Sequence, residues 1–188
     1  SCLTQNSTGD AVAVSLDSAD IMFLIDGTKS MTEYFDLVSK AVKTFTDDYI
    51  GNPNYRFGVA MYGDHKQASR TKITDPLDFR LIKTLQPNSG DLFERLAQTE
   101  LFIKDTKADK EEPVSAAIYN AVKKTRWKNN KLKFLIHIGD HGDRIDPSDL
   151  LINLMKEKNV YYVPIAVKGD GVISQSNEFV RQTNLIYK

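Results

Sequence analysis

The chain has 188 residues, 41% of them apolar, with 25 basic and 25 acidic side chains and a single cysteine. That length supports one α/β domain with a sizeable core, and the balanced charge gives no pull toward nucleic acid or an anionic membrane. No apolar run approaches the roughly 20 residues of a membrane-spanning helix, and with Cys2 alone, internal disulfides and cysteine-based zinc sites are excluded.

Ser1 to Asp17 is rich in Ser, Thr, Asn and Gly and reads as a partly ordered lead-in, so residues 1–18 are set apart from a single domain over 19–188. A Ser-Cys start fits the mature end of a bacterial lipoprotein, which implies an extracytoplasmic location, or a fragment boundary, which leaves a cytoplasmic one open. Ile21 to Ile25 is apolar throughout and not alternating, the pattern of a strand buried on both faces. It ends in Asp26-Gly27-Thr28-Lys29-Ser30. Met31, Tyr34, Phe35, Val38, Ala41, Val42, Phe45 and Tyr49 recur at helical spacing and predict one amphipathic helix over 31–49. Ser30 and Glu33 have the spacing of a capping box.

Tyr55 to Tyr62 is the next predicted strand, ending at Gly63-Asp64-His65. Phe79 to Leu85 reads as a short edge strand, Asp91 to Ile103 as a helix, and 104–112 as a charged loop. Val114, Ala117, Ile118, Ala121 and Val122 mark a further helix. Arg126, Lys128, Lys131 and Lys133, around Trp127, read as a solvated helix end and turn, without the aromatic interleaving of a nucleic-acid platform. Phe134 to Ile138 is a second buried strand and ends in Gly139-Asp140-His141-Gly142-Asp143. Asp146-Pro147 is a helix start with the acid as N-cap. Val160 to Val167 is a strand, 174–182 a last helix, and 185–187 a last short strand.

This alternation predicts a Rossmann-like, doubly wound α/β fold with a mostly parallel central sheet flanked by helices. Ligands of such sheets bind beyond the carboxyl ends of the strands, where Asp26, Asp64, His65, Asp140 and His141 all fall. Asp26, Thr28 and Ser30 alternate along a turn, so their oxygens can converge on one hard cation. One aspartate after a strand is otherwise a turn former or cap. His65 and His141 read first as capping or solvent-facing groups, though beside two acids they leave room for a softer ion. His137, inside a strand, reads as packed in the sheet, and Lys29 as an outward-pointing rim residue.

Ile25-Asp26-Gly27-Thr28-Lys29-Ser30-Met31 resembles the first metal-ion-dependent adhesion site motif of von Willebrand factor A domains, Asp-x-Ser/Thr-x-Ser. The resemblance extends over roughly residues 19–187 and is most like bacterial domains of the kinase-associated type. It implies a divalent cation, Mg²⁺ or else Mn²⁺ or Ca²⁺, held by Asp26, Thr28, Ser30 and Asp140, the last through water in the family. It also implies a protein partner that presents Asp or Glu to that cation. The family places a threonine where this chain has Glu112, so Glu112 is either a third acid at the ion or no ligand at all. Two alternatives stand beside the interaction module: a metal-free scaffold in a larger bacterial or kinase-linked protein, and a phosphatase. Phe-Leu-Ile-Asp-Gly-Thr also resembles the first motif of haloacid-dehalogenase-type phosphatases, but Leu24 stands where their nucleophilic carboxylate belongs. The expectation is therefore a non-enzyme.

Overall fold

The computed structural model of the chain describes residues 2–5, 11–66, 72–74, 77–102, 113–140 and 148–167. The strands are β1 (Cys2–Gln5), β2 (Ala11–Asp26), β3 (Tyr55–His65), β4 (Leu77–Pro87), β5 (Lys131–Gly139) and β6 (Tyr161–Ala166). The helices are α1 (Phe35–Asp47), α2 (Leu92–Ala97), α3 (Val114–Lys124) and α4 (Asp149–Lys158), with a 3₁₀ turn at Lys29–Met31. The main sheet runs β4-β3-β2-β5-β6. β2 pairs in parallel with both β3 and β5, β5 pairs in parallel with β6, and β4 closes one edge antiparallel to β3.

The continuous apolar run of β2 is explained by burial on both faces. Met22 and Leu24 face α3 and α4, among Ala60, Ala117, Ile118, Leu135 and Leu151. Ile21, Phe23 and Ile25 face α1 and α2, among Val38, Val42, Val59, Met61 and Leu96. The chain winds from β2 to β3 on one side and later returns to β5 on the other. The carboxyl ends of β2, β3 and β5 thus meet where the winding changes direction, the place such sheets use for ligands.

Several local expectations differ from the structure for identifiable reasons. Residues 1–18, read as a lead-in, include strand β1 and the first part of β2, which pair antiparallel from Cys2↔Val14 to Gln5↔Ala11. The helix expected over 31–49 is α1, shortened to Phe35–Asp47, because the 3₁₀ turn and a further turn take its first residues. The Ser30–Glu33 capping box does not form: Tyr34 stands at the N-cap with no side-chain cap, and the Ser30 hydroxyl lies against Thr28 instead, 3.2 Å from its Oγ1. The helix expected over 91–103 stops at Ala97, and the chain then extends. Ser148, not Asp146, caps α4, its Oγ accepting from the Leu151 amide at 3.4 Å. Asp146 and Pro147 lie outside the described residues, as do the last helix and strand expected over 174–187.

The solvated basic run is corrected in part. Arg126 and Lys128 are exposed, but Lys131 and Lys133 are buried. Their ammonium groups donate to backbone carbonyls, Lys131 to Asn54 at 2.6 Å and Lys133 to Lys158 at 3.0 Å. Loss of water lowers both pKa values, partly opposed by the nearby Asp20 carboxylate.

Candidate functional site at the carboxyl end of the sheet

Asp26 is the last residue of β2 and is fully buried. Its Oδ1 accepts from the Thr28 amide at 2.9 Å and from the Thr28 hydroxyl at 2.7 Å. Thr28 Oγ1 in turn lies 3.2 Å from Ser30 Oγ, so the alternate residues of the motif do converge. Asp26 and Thr28 are buried, whereas Ser30 is exposed at the mouth. The other carboxylate oxygen of Asp26, Oδ2, is buried and meets no hydrogen-bond partner. Such an oxygen is costly unless a positive group faces it or a proton is shared with the neighbouring carboxyl.

Asp140, just past the end of β5, is also buried and approaches Asp26. Burial raises the Asp26 pKa well above the ordinary value, and the closeness and charge of Asp140 raise it further, against the lowering effect of the two Thr28 bonds. Gly139 permits this approach. A Cβ there would sit 3.3 Å from both the Asp26 Cβ and the Tyr62 hydroxyl, tighter than ordinary contact.

The loop that carries the motif is fixed by backbone contacts that need glycine. The Gly27 amide donates to the Tyr62 carbonyl at 2.7 Å, and the Gly27 carbonyl accepts from the Phe102 amide at 2.8 Å. A Cβ on Gly27 would come within 2.4 Å of Met61 Cγ. Thr28 and Phe102 form a parallel bridge, so the extended chain after α2 adds one more short rung beside the motif. Phe102 packs against Gly63, where a Cβ would fall 2.8 Å from the Phe102 Cβ. The Arg80 guanidinium lies 4.7 Å above the Phe102 ring and donates to the Glu100 carbonyl at 2.9 Å. Sequence reading missed this rung, because one aromatic residue after a short helix has no local periodicity. The only advance signal was Gly63 at the end of β3.

Of the residues expected at the site, Asp26, Thr28, Ser30 and Asp140 lie together at the carboxyl end of the sheet. Glu112 and His141 lie outside the described residues, as does the His65 side chain. Asp64 is half-buried at the end of β3. His137 is buried within the sheet as expected. Leu24, where the phosphatase reading requires a nucleophile, is a fully buried core side chain. Among the described residues no three His, Cys, Asp or Glu side chains form a cluster. The two acids here are accompanied by the Thr28 and Ser30 hydroxyls, an all-oxygen donor set in which Asp26 Oδ2 meets no hydrogen-bond partner. That set fits a hard divalent cation better than a soft one.

The sequence matches the von Willebrand factor type A domain over residues 20–185, and the chain belongs to this family. Domains of the family generally serve as protein-interaction modules. No curated protein matches the chain.

Proposed function

We propose that this domain binds a protein partner through a divalent cation held by Asp26, Thr28, Ser30 and Asp140. The observation that supports this reading is the buried Asp26 Oδ2, which meets no hydrogen-bond partner beside a second buried acid. A cation of the Mg²⁺ class, with Mn²⁺ and Ca²⁺ as alternatives, would offset both carboxylates and leave a coordination position for an incoming Asp or Glu. Glu112, two residues before α3 in the sequence, is a further candidate ligand.

Within this reading the chain's own groups divide the task. Thr28 holds Asp26 through one oxygen and leaves the other turned to the site. Ser30, exposed at the mouth, and Lys29 beside it form the rim that a partner meets first. No bond is made or broken, so the domain acts as a binder and not as an enzyme. Nucleic acid is not its partner, given the balanced charge. Among the described residues no helix is long and apolar enough to cross a membrane.

Thermal unfolding of wild type and Asp26→Ala tests the reading, each in EDTA and then in millimolar Mg²⁺, Mn²⁺ or Ca²⁺. A ligand of the native state stabilises by about 2.7 kcal/mol at a hundredfold excess over Kd. The expected result is a rise in wild type that is absent in Asp26→Ala. Unchanged wild-type melting in all three ions would instead favour the metal-free scaffold.

A further inference from the structure

Directly behind the candidate site, the layer between the sheet and α3 and α4 contains a polar chain in otherwise apolar surroundings. Tyr62 of β3, His137 of β5 and Tyr162 of β6 are all buried there. The Tyr62 hydroxyl lies 2.7 Å from His137 Nε2, and the Tyr162 hydroxyl lies 2.6 Å from His137 Nδ1. Burial lowers the imidazole pKa to about 3, so the ring is neutral at ordinary pH.

A neutral imidazole donates from one nitrogen and accepts at the other. The chain therefore has two proton orders. In the first, Tyr62 donates to Nε2, and Nδ1–H donates to Tyr162. In the second, Tyr162 donates to Nδ1, Nε2–H donates to Tyr62, and the Tyr62 proton is turned toward a different acceptor.

The Tyr62 end of the chain adjoins the site. Tyr62 is the cross-strand partner of Asp26 in the β2–β3 register. One Cβ placed on Gly139 would touch both the Tyr62 hydroxyl and the Asp26 side chain. Negative charge on Asp26 and Asp140 attracts the Tyr62 proton and favours the second order. Positive charge placed between those acids removes that attraction and favours the first. In a buried, low-dielectric layer such a difference is poorly screened and passes along the hydrogen bonds to β6.

We propose that Tyr62, His137 and Tyr162 form a positioning relay for the cation site, holding β3 and β5 behind Asp26 and Asp140, with a proton order that follows the charge at those acids. The proposal rests on the cation reading above. It adds three residues that touch no ligand and a site-to-β6 connection.

The test combines Mg²⁺ titration with nitrogen NMR of ¹⁵N-histidine-labelled protein, for wild type, Tyr62→Phe and Tyr162→Phe. Each variant removes one hydroxyl and keeps the ring in its packing. Both are expected to weaken Mg²⁺ binding by about tenfold, the usual effect of losing an outer-shell hydrogen bond. In wild type, Mg²⁺ is expected to shift the His137 imidazole nitrogens toward the Nδ1–H form. A purely structural role would lower the melting temperature equally with and without Mg²⁺ and leave both Kd and the imidazole signals unchanged. If wild type binds Mg²⁺ but Tyr162→Phe binds it equally well and the signals stay fixed, the relay is wrong and the cation reading stands. If wild type binds none of Mg²⁺, Mn²⁺ and Ca²⁺ by either method, the cation reading and the relay fail together.

Discussion

Two buried aspartates stand six residues apart on β2, on the same face of the same strand, and they are treated differently. Asp20 lies near the amino end of the β2–β3 and β2–β5 ladders and is fully buried. It accepts from Arg56 Nε at 2.7 Å, from Arg56 Nη2 at 2.6 Å, and from the Lys128 amide at 2.8 Å. Both of its oxygens are occupied. Asp26, at the carboxyl end, has one oxygen held by Thr28 and one with no hydrogen-bond partner, and a second acid beside it. The first arrangement closes the fold around a charge. The second leaves an acid without a counter-charge beside another acid, which costs stability.

The largest expected effect comes from breaking the closed end. Asp20→Asn removes the charge that answers Arg56 while the guanidinium stays mostly enclosed. Removing one partner of a buried ion pair costs roughly 3–5 kcal/mol. The Arg56 side chain keeps some access to water, 13% of its surface, so the low end of that range is expected. Chemical denaturation measures it directly. A loss under about 1 kcal/mol would mean that Asp20 is not the fastening it is taken to be here.

The pH dependence of stability sharpens the contrast next. His137 has its pKa lowered to about 3 by burial, against an ordinary value of about 6.5. Between these values the unfolded chain takes up a proton that the folded one refuses. Stability is thus intact above about pH 6.5 and falls as pH drops toward 3, at roughly 1.4 kcal/mol per pH unit where the slope is steepest. Carboxylates titrate in the same range, so the informative quantity is the difference between wild type and His137→Gln. The variant is expected to be flatter across pH 4–6. Parallel curves would show that His137 takes up its proton in the folded state.

The third effect is smaller and probes the loop. Gly63→Ala places a Cβ 2.8 Å from the Phe102 Cβ and must displace the Phe102 rung. Overpacking of this kind costs about 1–3 kcal/mol. Because Phe102 is bridged to Thr28, the same substitution is expected to weaken cation binding as well as stability. Phe102→Ala in the Gly63→Ala background should recover part of the stability but not the binding, which separates the clash from the positioning.

The sequence was informative where one residue's role is set by its own neighbours along the chain. The apolar run of β2 and its Asp-x-Thr-x-Ser ending identified the buried strand, the end of the sheet where the candidate site lies and three of the candidate residues. It was uninformative where the role depends on a partner far away in sequence. Asp20 and Arg56 are 36 residues apart, and Tyr62 and His137 are 75 apart. Lys131 and Lys133 looked solvated because composition does not reveal the carbonyl groups of Asn54 and Lys158 that receive them. Helix ends were displaced for a related reason: Ser30 met the criteria for a cap, but its hydroxyl is directed to Thr28 in the site.

The smallest expected change is also the most discriminating, because it repeats the first substitution at the other end of the strand. Asp26→Asn keeps an oxygen to accept from Thr28 and replaces the unmatched oxygen with an amide that can donate toward Asp140. The raised pKa of Asp26 shows that its charged form is disfavoured in the fold, first by burial and then by Asp140. Removing that charge in EDTA is therefore expected to stabilise the domain, by about 1 kcal/mol, the size typical of relieving a functional site. In Mg²⁺ the variant should lose the wild-type gain and become the less stable of the two. The same chemical change thus destabilises at position 20 under all conditions, and at position 26 reverses sign with the cation. Equal destabilisation at both positions in EDTA would remove the distinction between an acid that closes the fold and one kept ready for a ligand.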